Sequence, residues 1–199
     1  MKLFSITAVL VINLFIAVRY TVLRRRGVIQ PALAMWIFFS IAVGGSLVTY
    51  LSGGQFTWLD NILNSADLLL CVYVAVIIFL WGDRSTRFSR FDQGCLLAVL
   101  AILAFWVVSR QHVTSHLLIQ LILVIAYFPV VKRLWNSDRN TESFAAWIGL
   151  LLAPVFSLLS SKGTLATVYA ARAIISTFLL LLLMARAERK MRRVRGPQS

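Results

Sequence analysis

Long apolar blocks alternate with short polar stretches along this chain, and seven of the blocks approach the length of a bilayer-crossing helix. Crossing the hydrocarbon core takes about 20 mostly apolar residues at a rise of ~1.5 Å each. The pattern predicts spans at Leu3–Val22, Pro31–Ser52, Thr57–Trp81, Gly94–Ser109, Ser115–Leu134, Ser143–Ser161 and Thr164–Arg186. The fourth is the shortest and most apolar. Only Lys162-Gly163 separates the sixth from the seventh, with Gly163 as the break. The first block runs into Val18-Arg19-Tyr20 and Arg24-Arg25-Arg26 instead of a small-residue cleavage site, so it reads as a retained span. The expectation is an all-α polytopic membrane protein with short loops and no soluble domain.

The polar stretches orient these spans. Seven crossings put the termini on opposite sides. The first, third and fifth loops plus the tail then hold 16 basic residues, including Arg24–Arg26, Lys132-Arg133 and Arg186–Arg195. The other side holds 3, Lys2, Arg110 and Lys162, while Arg172 lies inside the seventh span. Basic residues collect on the cytoplasmic side, which predicts an outer N-terminus and a cytoplasmic C-terminus. The tryptophans fit that layout as aromatic belts: Trp36, Trp81, Trp135 and Trp147 near inner span ends, Trp58 and Trp106 near outer ones.

Composition narrows the class further. Hydrophobic residues make up 60% and charged residues 14%, against about 25% charged in an ordinary globular domain. That excludes a soluble enzyme and a disordered chain. The net charge of +13 would suggest nucleic acid in a soluble protein. Here the basic residues border the apolar blocks, so they read as topogenic and no nucleic-acid partner is expected. Cys71 and Cys95 both fall in apolar blocks and are expected as free thiols. HExxH, Gly-rich phosphate loops and Gly-x-Ser-x-Gly are all absent. Neither an enzyme, a metal nor a cofactor is indicated. The seventh span also lacks the lysine to which rhodopsins attach retinal.

An internal repeat is visible in the order of features. Asn13–Leu80 and Val124–Met184 each carry a span, a basic loop, a span opening with Trp, a short outer loop and a third span. Trp36 and Trp147 correspond, as do Arg24–Arg26 with Lys132-Arg133 and Gly53-Gly54 with Gly163. This divides the chain into a three-helix repeat (1–93), a linker helix (94–114), a second repeat (115–186) and a basic cytoplasmic tail (187–199). One linker span gives both repeats the same orientation, so they are parallel, related by an axis along the membrane normal.

With Tyr127-Phe128-Pro129-Val130-Val131-Lys132-Arg133-Leu134-Trp135, this plan resembles the PQ-loop and SWEET-like superfamily of sugar, amino-acid and vitamin transporters. Pro129 stands where that family places a proline near the inner end of a repeat's first helix, although the Pro-Gln dipeptide is absent because Val130 follows. The resemblance implies a solute path between the third helices of the two repeats, each carrying an asparagine. Asn64 resembles the first of these, and Arg172 would replace the second. That exchange suggests an anionic or zwitterionic ligand.

Charges at membrane depth are costly, about 2.5–3.5 kcal/mol each on insertion scales, and mark functional sites by default. Asp67 and Arg172 lie at similar depth in spans three and seven. Asn61, Asn64 and Asp67 recur every three residues on one face, and Tyr169, Arg172 and Ser176 form the facing stripe. Asp67 and Arg172 form a direct pair that locks the bundle, line a ligand site with Asn64, Asn13 and Tyr169, or make no contact. Asn13, near the middle of span one, either packs across helices or lines the path. His116 and Gln120 at the outer end of span five read as interfacial and hydrated, with proton coupling by His116 as the alternative. Gly44-Gly45-Ser46, Ser157, Ser160 and Ser161 suit close helix contact.

Two functions follow as expectations. The first is a small-solute transporter or facilitator. The second is a non-transporting membrane partner, an assembly factor or sensor docking a protein through basic cytoplasmic loops. The bilayer is the expected environment, in a bacterial inner membrane, with anionic lipid headgroups against the basic tail. A homo-oligomer or a protein partner is compatible with either.

Overall fold

The computed structural model describes residues 1–28, 33–81, 90–128, 131, 134–135 and 143–195, with side chains for all of these but 34, 35 and 191–195. Among the described residues the chain is helical and contains no strand. It forms seven α-helices: α1 (Lys2–Arg25), α2 (Leu33–Ser52), α3 (Ile62–Trp81), α4 (Arg90–Ser109), α5 (His112–Ile125), α6 (Phe144–Ser157) and α7 (Thr164–Arg195). A 3-10 turn, Trp58–Asn61, leads into α3. By length and composition α1, α3 with its leading turn, α4 and α7 could cross a membrane, while Trp36–Ser52 of α2, α5 and α6 are apolar but shorter.

The boundaries depart from the hydrophobic pattern for backbone reasons. The expected span from Thr57 begins as a 3-10 turn because Thr57 and Asp60 form a capping box, the Asp60 carboxylate accepting from the Thr57 N–H at 2.9 Å. The fifth span, expected to reach Leu134, ends as a regular helix at Ile125. Pro129, itself outside the described residues, has no N–H to offer the Ile125 carbonyl. The Ser143 hydroxyl caps the start of α6, and Pro154 within α6 removes the bond to the Leu150 carbonyl. The next serines then serve the helix end: Ser157 donates to the Pro154 carbonyl at 2.8 Å, and Ser161 to that of Ser157 at 2.9 Å. The expected tail from residue 187 continues α7 as helix to Arg195.

Packing closes six helices into a ring. α3 lies between α1 and α2, α2 packs on α5, α7 lies between α5 and α6, and α6 returns to α1. α3 and α7 touch each other only lightly. α4 stays outside this ring against α2 and α5, burying only Cys95 and Val99. The starts of α1, α3, α5 and α7 gather at one end. There Lys2, Asp60, His112 and Gly163 meet, directly or through Phe56 and Gly53.

Several glycines sit where a Cβ would crowd a neighbour, Gly149 and Gly163 among them. A Cβ on Gly149 of α6 would stand 3.1 Å from Ile16 Cγ1 of α1. Gly163 has φ +80, and a Cβ there would meet Phe56 Cζ at 2.8 Å. Gly163→Ala therefore combines backbone strain of about 1–2 kcal/mol with a ring clash. Gly27→Ala, at φ +67 with nothing within 4 Å, carries the strain alone. Thermal unfolding in nanodiscs should place the Gly163 variant below the Gly27 variant, and equal melting temperatures would remove the clash.

Polarity runs inside out. Leu14, Phe15, Leu69, Leu97, Val108, Ile175 and Phe178 are exposed, whereas Ser5, Asn13, Ser46, Thr49, Asn64, His116, Gln120 and Thr177 are buried. At the end away from Lys2, aromatic rings fill the interior. Tyr20 meets Trp36 at 5.4 Å, Trp36 meets Phe39 at 6.3 Å, Phe39 meets Tyr127 at 5.8 Å and Tyr127 meets Trp147 at 6.2 Å. Trp36 and Trp147 are thus core residues and not belt anchors. Trp58, Trp81 and Trp135 are exposed as a belt requires, and Trp81 and Trp135 lie under Arg25 and Arg186 respectively.

Candidate functional site between α3 and α7

Asp67 and Arg172 come together but do not pair. Among the described residues no salt bridge joins them. The Tyr169 hydroxyl donates to Asp67 Oδ2 at 2.9 Å, and the Arg172 guanidinium lies over the same tyrosine ring, 4.7 Å from its centroid. Tyr169 is fully buried and works as a wedge: its hydroxyl end holds the anion and its face holds the cation. Both charged side chains are only half-buried, although they sit deep between helices where α3 and α7 are loosely apposed. The direct lock is therefore not what forms.

A second set of polar groups fixes Arg172 from behind. Its Nε donates to Gln120 Oε1 at 3.1 Å. The Gln120 amide nitrogen donates to the Ser46 hydroxyl at 2.8 Å and to His116 Nε2 at 3.3 Å. His116 Nδ1 lies 3.1 Å from the Ser46 carbonyl and 3.3 Å from the Thr49 hydroxyl. With its proton on Nδ1, a neutral His116 donates to that carbonyl and accepts from Gln120. His116 and Gln120, expected as hydrated interfacial residues, are buried in the core. Ser46, expected only as a small packing residue, is the junction of the network. Burial on α5 follows from the ring: the face with Ser115, His116, Ile119, Gln120 and Leu123 turns inward.

Asn64 does not face Arg172. Oriented to satisfy both ends of its amide, it donates to the Val43 carbonyl at 3.0 Å and accepts from Leu47 N–H at 3.2 Å and the Ser46 hydroxyl at 3.0 Å. It clips α3 to one turn of α2 beside Gly44-Gly45, and both ends of its amide are engaged there. Asn13 is buried and donates to the Val9 carbonyl of its own helix at 3.1 Å. Among the described residues it shares no hydrogen bond with the Asp67 group, and its Oδ1 has no partner. Asn61 accepts from Asn64 N–H at the start of α3. Cys71, one turn beyond Asp67, lies within electrostatic reach of both Asp67 and Arg172.

The sequence reading passed over Asp60. This carboxylate is almost wholly buried and receives Lys2 Nζ at 2.8 Å and Lys162 Nζ at 3.2 Å. Its own carbonyl accepts from Lys162 N–H, and the Lys162 carbonyl accepts from the Tyr50 hydroxyl, both at 2.9 Å. Phe56, stacked on Tyr50, completes a knot that ties α1, α2 and α3 to the α6–α7 turn. The available signal was its position three residues after Thr57, a capping-box spacing. Comparison with known protein families, with characterised proteins and with solved structures finds no match for this chain.

Proposed function

We propose that this chain is a polytopic membrane protein that moves a small solute through the ring centre, along a path between α3 and α7. The observation that carries this is an aspartate and an arginine, deep between loosely apposed helices, that stay partly accessible and decline to pair. Two charges serving only to lock a bundle gain most by meeting directly, because removal of either from water is costly. The exposed apolar exterior and polar interior suit a lipid solvent. The neighbours around the six-helix ring keep their pairings when α1, α2 and α3 are exchanged for α5, α6 and α7, while α4 packs on α2 and α5. That invariance supports the parallel three-plus-one-plus-three plan with α4 as the linker, and with it the SWEET-like resemblance.

Cys71 is buried one turn from Asp67, so an aqueous reagent reaches it only where water enters between the helices. In a Cys95→Ala background, a membrane-impermeant methanethiosulfonate should modify Cys71 from at least one side of sealed vesicles. Absence of modification from both sides, in protein that melts cooperatively, would reject a hydrated path and favour a sealed bundle that docks a protein partner.

A further inference from the structure

The geometry points to a lipid site where the starts of α1 and α7 meet: the ammonium groups of Lys2 and Lys162 clasp the phosphate of an anionic phospholipid, whose chains run along the seam between α1 and α6. The site is separate from the Asp67–Arg172 group and does not rest on the transport reading. Both ammonium nitrogens lie on one atom, Asp60 Oδ1, at 2.8 and 3.2 Å. They can stand no farther apart than the sum of those distances, about 6 Å, which two oxygens of one phosphate can bridge. Asp60 holds this spacing because Thr57 fixes its other oxygen, Oδ2, through its N–H at 2.9 Å and its hydroxyl at 2.8 Å. An ammonium has three donors, and a single shared oxygen takes one from each lysine. The carboxylate is 5% exposed, whereas the two lysine side chains are 47% and 60% exposed. The acid lies beneath and the cations open outward.

The seam beside these lysines suits an acyl chain. Ser5, one turn along α1 from Lys2, donates to the Phe156 carbonyl at 2.6 Å and meets the Ser160 hydroxyl at 2.7 Å. Thus α1 and the end of α6 touch within three residues of each lysine. Phe4 packs edge-on against Phe156 at 5.9 Å and is exposed, as are Leu3 and Leu159. Paired cations beside an apolar seam match the phosphate and the chains of a phospholipid. Charge then selects the headgroup. Two ammonium groups over one carboxylate leave one positive charge, which a phosphodiester without a headgroup cation neutralises. Phosphatidylglycerol is such a lipid, whereas phosphatidylcholine brings a second cation against the lysines. A free phosphate would meet the lysines and leave the seam unused.

The test uses the full chain in nanodiscs of equal phosphatidylglycerol and phosphatidylcholine, with native mass spectrometry counting the lipids retained. A protein carrying Lys2→Gln and Lys162→Gln should retain one phosphatidylglycerol fewer than the parent. Lys2→Arg with Lys162→Arg keeps both charges and should retain the parent number. Loss of the lysines also slackens the Asp60 knot, so a second measurement leaves the chain unaltered. In detergent, acetylation of Lys2 and Lys162 by an aqueous N-hydroxysuccinimide ester should slow at least about threefold with saturating phosphatidylglycerol. Phosphatidylcholine, and inorganic phosphate at matched ionic strength, should protect far less. Equal protection by phosphatidylcholine, or an unchanged phosphatidylglycerol count in a glutamine variant that melts cooperatively, overturns the site. Equal protection by inorganic phosphate assigns the lysines to the free anion and overturns the lipid as occupant.

Discussion

Gln120→Leu is expected to be the most damaging single substitution in the core, lowering stability by roughly 2–5 kcal/mol. The replacement is similar in size and apolar, so packing is nearly conserved. It strands Arg172 Nε without its acceptor and His116 Nε2 without its donor, and each unmet buried group costs about 1–3 kcal/mol. Ser46 suffers least because Asn64 still bonds its hydroxyl. Gln120→Glu separates the two roles of the residue. A carboxylate there accepts from Arg172 and pairs with it, so stability should fall less. Denaturant or thermal unfolding in a fixed lipid checks both. A Gln120→Leu protein as stable as the parent would show that the network is incidental to the fold.

Asp60→Ala should cost about 2–3 kcal/mol. The substitution removes both Thr57 contacts of the cap, worth about 1 kcal/mol, and two charge-assisted contacts, worth about 1.5–3 kcal/mol before discounting. The discount is needed because the Lys2 and Lys162 side chains are 47% and 60% exposed and rehydrate when released. Asp60→Asn keeps an acceptor for Thr57 and loses only the charge, so it should sit between the parent and the alanine variant. Because this knot holds the α6–α7 turn against the starts of α1 and α3, its loss should also speed modification of Cys71 from the face bearing Lys2. An unchanged rate alongside lower stability would make the knot a fastening and nothing more.

The helical class was legible in the chain, because long apolar blocks bounded by basic residues have few other solutions. The ends of the helices were less legible. The Thr57–Asp60 box tightens the start of α3 through single backbone hydrogen bonds, which an apolar window averages away. Tyr169, Asp67 and Arg172 could be placed at one depth by counting residues, since rise per residue is nearly constant.

Which atoms of those residues meet could not be counted. Asn64 and Arg172 share the stripes that suggested a common path, yet Asn64 turns to α2 because Val43, Ser46 and Leu47 offer its amide three partners at once. Trp36 and Trp147 sit near helix ends as belt residues do, but the ring brings Tyr20, Phe39 and Tyr127 around them. His116 lies near the start of α5 and is still buried, because α2 and α7 close over that face. One-dimensional pattern thus determined helical class, apolar length and residue spacing, which depend on each segment by itself. The tertiary ring decided rotation and partnership, which depend on where neighbouring helices place a donor for every buried acceptor.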